Sequence, residues 1–258
     1  MDFFDCNCYF GRPSKAPASP AMCSTIDELE AALERAGIAQ ALVWHMAQLE
    51  VSPQRGNRML SEAIAGRKRF VGCWTLLPPQ SDEMPVDALL AEMKAAGVRA
   101  LRAFPTRHRY ILNGTTLGPL LEEMVERRIP LLYSTRLASP GIDQYLVWKE
   151  VHDLMREFPR LTLILCDHGS WGCDRYFRPL LDAYERVYVD TALYFQDGGI
   201  ESLVERYGPS ARIVFGSGLP ERYPGGMMMA IRHGEIPEAA KEAMAGGTMR
   251  RLIEEVSL

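Results

Sequence analysis

Asp5, Asn7 and Tyr9 alternate with Cys6 and Cys8 in the opening stretch MDFFDCNCYFG. A period of two belongs to a strand, with the carboxylate, amide and phenol on one face and both thiols on the other. Such a polar face can hold a ligand or move a proton. Other reactive residues stand where apolar runs end: His45, Trp74, Arg102, Ser134, His168, Asp190 and Ser217. His168 follows LILCD and is the natural general acid or base, because imidazole titrates near neutral pH.

Arg102 and Arg136 supply guanidinium forks of the kind that grip carboxylates. Arg102 shares parity with Ala100 and Phe104, which directs it inward, either to a substrate carboxylate or to an internal ion pair, for instance with Asp5. His45, His108 and Tyr110 are further candidates for the pocket, whereas His152 falls on a helix and His233 near a surface turn. Cys166 has the inward parity of His168 and offers either a nucleophile for it or an inert buried thiol. Ser134 and Thr135 with Asp190 or Asp167 invite a Ser-His-Asp reading, but no nucleophile-elbow motif accompanies them. Cys6-x-Cys8 points outward as a strand and reads as structural.

These residues need a scaffold that brings strand ends together. Strand-like and helix-like runs alternate about eight times, the pattern of parallel βα units. The expected strands are 3–10, 39–45, 70–77, 98–104, 130–134, 161–167, 187–191 and 212–215. Thr25-Ile26-Asp27-Glu28 has the form of a capping box and opens a helix that Gly37 stops. A Pro/Ser-rich loop at 11–24, a polar loop at 106–114, a Pro/Gly loop after the fifth strand and a Gly/Pro-rich loop at 216–226 punctuate the series. A last helix is expected over 237–255, and Met227, Met228 and Met229 are placed to cover the mouth or to pack. The count predicts a single α/β domain over 1–258, a (β/α)8 TIM barrel with its polar residues at the C-terminal mouth.

Composition narrows the function. The chain has 258 residues, 47% hydrophobic and 24% charged, with net charge -4 and pI near 5.8. Its Lys and Arg are scattered, which argues against nucleic acid, and no apolar run approaches a membrane span. No secretory signal is visible, and six cysteines in a chain of this length read as buried thiols, so a cytoplasmic protein is expected.

Six stretches in order resemble the amidohydrolase superfamily, in its amidohydrolase family 2 branch. FDCNCYFG is similar to that family's DxHxHxG first strand, IPLLYST to its P-apolar-His fifth strand and LILCDHGSWG to its sixth. VYVDTALY resembles the seventh, RIVFGSGLP the FGTDxP eighth, and GGTMRRLI the closing helix. The resemblance implies a barrel hydrolase or decarboxylase of small carboxylated compounds, commonly metal-dependent and often dimeric.

Position by position, the implied metal ligands are replaced. Asn7 and Tyr9 stand for the first-strand histidines, Ser134 for the fifth-strand histidine and Gly218 for the eighth-strand aspartate; His168 alone is retained. A zinc site needs about three good protein ligands, so no cofactor is expected and zinc or another divalent metal is disfavoured. Three readings stay open. The first is a metal-independent hydrolase or lyase for a small carboxylate, with His168, Asn7 and Ser134 as the reacting set and Arg102, Tyr9, Arg136, His45, Tyr110 and Trp74 around the substrate. The second is an inactive descendant that binds a small ligand or partner. The third is a metalloenzyme whose site is rebuilt from His168, Asp5, His45 and a cysteine. A homodimer follows from the resemblance alone.

Overall fold

The first strand decides how the chain closes. In the computed structural model, which describes residues 1–14, 22–80, 83–137, 143–169, 172–209 and 212–258, β1 runs over Phe3–Phe10 with every residue buried. The next strands are β2 (Ile38–His45), β3 (Phe70–Thr75), β4 (Val98–Ala103) and β5 (Leu131–Ser134). After them come β6 (Leu163–Cys166), β7 (Val187–Asp190) and β8 (Ile213–Val214). They pair in sequence order, each parallel to the next. Consecutive parallel pairing with helical crossovers is the (β/α)8 arrangement.

The seam between β8 and β1 is stitched by backbone bonds. Cys6 N–H donates to Phe215 O at 2.8 Å, Gly218 N–H to Asn7 O at 3.0 Å and Tyr9 N–H to Leu219 O at 3.0 Å. Phe215 N–H in turn donates to Met244 O at 3.0 Å, on a π-helical turn (Ala243–Gly247) within the closing helical segment. That turn lies against the start of β1: a Cβ on Gly246 would come within 2.6 Å of Asp2 O, so only glycine fits there.

The outer ring follows helix chemistry. Thr25 caps the helix Ile26–Ala36 with the full capping box, and Ile26, Leu29 and Leu33 form its buried stripe. Three local expectations are made definite. Met227, Met228 and Met229 belong to a helix (Gly225–His233) whose first two methionines are buried, so those two take the packing role. The segment 237–255 is Glu238–Glu242, the π turn and Thr248–Glu254 in succession. The polar loop after β4 contains a short helix (Pro105–His108). The loops at 11–24 and after β5 lie partly outside the described residues.

Candidate functional site at the barrel mouth

A bulge in β1 sets the inward face. Asp5 pairs with Ala41 and Cys8 with Val43, so Cys6 and Asn7 together oppose Leu42. The extra residue breaks the alternation: Cys6 and Asn7 both face the interior, where Cys6 meets the Cys166 thiol and Asn7 meets three charged side chains. The expected outward Cys6 is thereby corrected. Asp5 turns to the seam, accepting from Ser217 N–H and Asn7 N–H at 2.9 Å each and from the Ser217 hydroxyl. Burial pushes the Asp5 carboxyl up despite those donors.

Asn7 is the hub. Its Nδ2 donates to Asp190 Oδ2 at 2.8 Å and to Asp167 Oδ1 at 3.1 Å, and its Oδ1 accepts from Arg102 Nη2 at 2.8 Å. Arg102 is 0% exposed, with its guanidinium carbon 5.1 Å from the Trp44 ring centroid and 5.9 Å from that of Phe104. Its expected ion pair with Asp5 is not made; Asp167 and Asp190 are the carboxylates whose charge it feels. Ser134 Oγ donates to Asp167 Oδ2 at 2.7 Å and accepts from Leu137 N–H at 3.0 Å. Burial and the neighbouring Asp167 both hold the Asp190 carboxyl well above the usual carboxylate range.

Parity along β6 predicts that Cys166 and His168 point inward and Asp167 outward. Asp167 instead adopts a left-handed backbone, φ 54°, which reverses the order. Asp167 therefore reaches the mouth. His168 turns between Phe177 and Tyr194, with ring centroids at 5.1 and 5.6 Å, and its nitrogens meet Gly169 O at 3.0 Å and Asp190 O at 2.9 Å. Burial lowers its pKa. Cys166 and His168 consequently do not pair as nucleophile and base, and Ser134 bonds Asp167 in place of an imidazole.

At the mouth itself, Asn7, Tyr9, Arg136, Asp167 and Arg222 surround a cavity of about 20 Å³, room for roughly one water. Tyr9 OH donates to Glu221 Oε1 at 2.8 Å while its ring rests on Trp44 at 4.8 Å. Arg136 is exposed. Gly218 has φ +67°, and a Cβ there would stand 2.8 Å from Arg222 Cδ, so an arginine stem fills the space a side chain at 218 would use. Arg222 and Glu221 were not singled out by sequence; their only signal was position, just beyond the eighth strand.

Trp74 does not line this mouth, which corrects the expectation. It turns outward, donating from Nε1 to Ser61 Oγ at 3.0 Å, and lines a separate cleft of about 430 Å³ beside the helices Pro53–Ile64 and Val86–Ala95. His45 accepts Ala47 N–H on Nδ1 at 2.9 Å and packs edge-on to Phe10. Tyr110 is half-buried against the core beyond β4. His108 packs on Phe104, and His152 Nε2 meets Tyr176 O at 2.9 Å. His168, Asp5 and His45 thus each have separate partners and are not gathered into one ligand set.

A closed parallel barrel with its polar network at the C-terminal strand ends defines a mouth-site (β/α)8 protein, the arrangement in which barrel enzymes place their chemistry. The amidohydrolase family model (Amidohydro_2) matches residues 10–253, and the chain belongs to that family. A search of curated proteins finds no match. Among solved structures, the chain is similar to an uncharacterized TIM-barrel protein from Bordetella bronchiseptica, at 16% identity and TM-score 0.74 over 99% of each chain. It is also similar to 2,6-dihydroxybenzoate decarboxylase from Rhizobium, at 16% identity and TM-score 0.71 over 98% of this chain and 99% of that one. A third is 5-carboxyvanillate decarboxylase from Novosphingobium aromaticivorans, solved with bound manganese, at 13% identity and TM-score 0.75 over 98% and 97%. At these identities the likeness establishes the fold.

The donor chemistry at the hub does not suit a divalent cation such as that neighbour's manganese. The atom that Asn7 turns to both carboxylates is an N–H donor, its oxygen is taken by a guanidinium, and position 218 carries no side chain. Among the described residues, no helix is long and apolar enough to cross a membrane.

Proposed function

We propose that this chain acts on a small carboxylated compound at the barrel mouth as a metal-independent hydrolase or lyase. Arg136 and Arg222 would hold the carboxylate, and Asp167 would exchange the proton. The observation that carries the reading is Asp167 itself: a non-glycine residue in a strained left-handed backbone, held by Ser134 and Asn7 at the edge of the cavity. In a lyase step Asp167 would protonate the carbon that loses CO2; in a hydrolytic step it would take the proton of the attacking water. His168, with both nitrogens on backbone carbonyls, is assigned to orienting the β6–β7 edge.

The test is a screen of lactones and carboxylated aromatics with wild type, Asp167→Asn, Arg136→Ala and His168→Phe. Product formation is expected to fall by about 100-fold or more in Asp167→Asn and to survive in His168→Phe. Unchanged turnover in Asp167→Asn rejects the assignment.

The replacement of the implied metal ligands by Asn7, Tyr9, Ser134 and Gly218 favours a second reading, a protein that binds a small ligand or partner without turnover. Its signature is ligand-dependent thermal stabilisation with no product for any compound. A cytoplasmic homodimer completes the proposal, and light scattering of the purified chain reads its oligomeric state.

A further inference from the structure

We infer that Arg102 is a resident internal cation that holds Asp167 and Asp190 through Asn7 and takes the place of a divalent ion in the hub's charge balance. The inference does not rest on turnover at the mouth. Three observations carry it. Arg102 is the only guanidinium among the described residues that is 0% exposed, and it is bonded to the same Asn7 amide that donates to both Asp167 and Asp190. Its Nε and Nη1 make no hydrogen bond, so its charge is held by ring faces and carboxylates and is not spent on nearby carbonyls. The Asn7 side-chain oxygen, which a divalent ion at the hub would need, is already taken by Arg102 Nη2 at 2.8 Å.

The groups around the centre are few. Arg102 faces Asn7 from β1, Trp44 from β2, Cys73 from β3, Cys166 from β6 and the carboxylates of Asp167 and Asp190. Isolated, a buried carboxylate or guanidinium is expensive; together they offset one another through the amide that touches both. Asn7 suits this bridge because one end of its side chain donates and the other accepts. A neutral histidine at the same position has a single N–H and could not donate to both Asp167 and Asp190 while accepting from Arg102.

The experiment is a double-variant cycle on the full chain: wild type, Arg102→Gln, Asp190→Asn and the pair combined, followed by thermal unfolding. Arg102→Gln removes the charge and keeps a polar head, and it is expected to lower the midpoint by about 10 °C. Adding Asp190→Asn is expected to recover roughly half of that loss, since one of the two acidic groups crowded on Asn7 is then permanently neutral. Strictly additive losses would overturn the inference. If Arg102→Gln yields no soluble protein, solubility of the combined variant supports it. If neither is soluble, Arg102→Lys, which keeps the charge, is expected to fold, and its failure overturns it. In parallel, Mn2+ added to chelator-treated wild type is expected to leave the midpoint unmoved. A saturable rise in wild type would show that the centre accepts a divalent ion beside Arg102, and would equally overturn the inference.

Discussion

Asp5 and Ser217, 212 positions apart, are joined by two hydrogen bonds: the Ser217 backbone N–H and hydroxyl both donate to the Asp5 carboxyl group. This pair bridges the barrel seam where β1 meets the segment after β8, and the same carboxyl also accepts Asn7 N–H. Asp5→Ala leaves three buried donors without an acceptor. The expected cost is about 3 kcal/mol, read as a lower urea midpoint at an unchanged slope. A loss well below 1 kcal/mol would mean that the backbone stitching alone closes the barrel.

Position 218 tests the claim that the mouth has been rebuilt around arginine. Its φ of +67° and the 2.8 Å approach of Arg222 Cδ to a built Cβ make any side chain unfavourable. Gly218→Ala is expected to lose about 1–2 kcal/mol, and Gly218→Asp at least as much. Combining Gly218→Ala with Arg222→Ala should relieve the steric part. An alanine variant as stable as wild type would contradict the geometry.

His45 supplies a pH dependence with a definite sign. Burial lowers its pKa, and Nδ1 must stay unprotonated to accept Ala47 N–H. In the unfolded chain the ring protonates near its ordinary value, so its contribution is present above about pH 6.5 and is lost as pH falls below it. His168, lowered by burial as well, acts in the same direction. Thermal midpoints from pH 7.5 to 5 should therefore fall less steeply in His45→Asn than in wild type. Parallel curves would remove His45 from the account.

Trp74 lines the lateral cleft and not the mouth cavity. Because its indole donates to Ser61 on the outer side of β3, Trp74→Phe should cost about 1 kcal/mol for the lost bond. Carboxylate affinity at the mouth should be unchanged, as titration followed by thermal shift would report. A several-fold loss of affinity would return Trp74 to the site.

Much is legible in the chain itself. Alternating apolar and amphipathic runs fix the βα repeat, because a parallel strand buried on both faces and a helix with one apolar stripe leave different periods in the chain. The capping box at Thr25 and the glycine stop at Gly37 appear as their local chemistry requires. That Asn7, Tyr9 and Ser134 stand where the resemblance implies histidines, and Gly218 where it implies an aspartate, is equally legible, since it concerns residue identity alone.

Orientation was not legible, and the failures share a cause. Strand parity carries a side chain's direction only while the backbone stays regular, and one extra residue or one left-handed turn inverts everything beyond it. The bulge between Asp5 and Cys8 brought Cys6 inward and sent Asp5 to the seam; the left-handed Asp167 exchanged the places of Asp167 and His168. Arg102 shows the other limit. Its inward parity could be read from the chain, but its partners come from β1, β6 and β7, strands that only barrel closure brings together. The amino-acid order by itself determined which groups could take part, because identity and period are local. Tertiary structure alone decided which of them meet, because a buried charge is satisfied by neighbours remote along the chain.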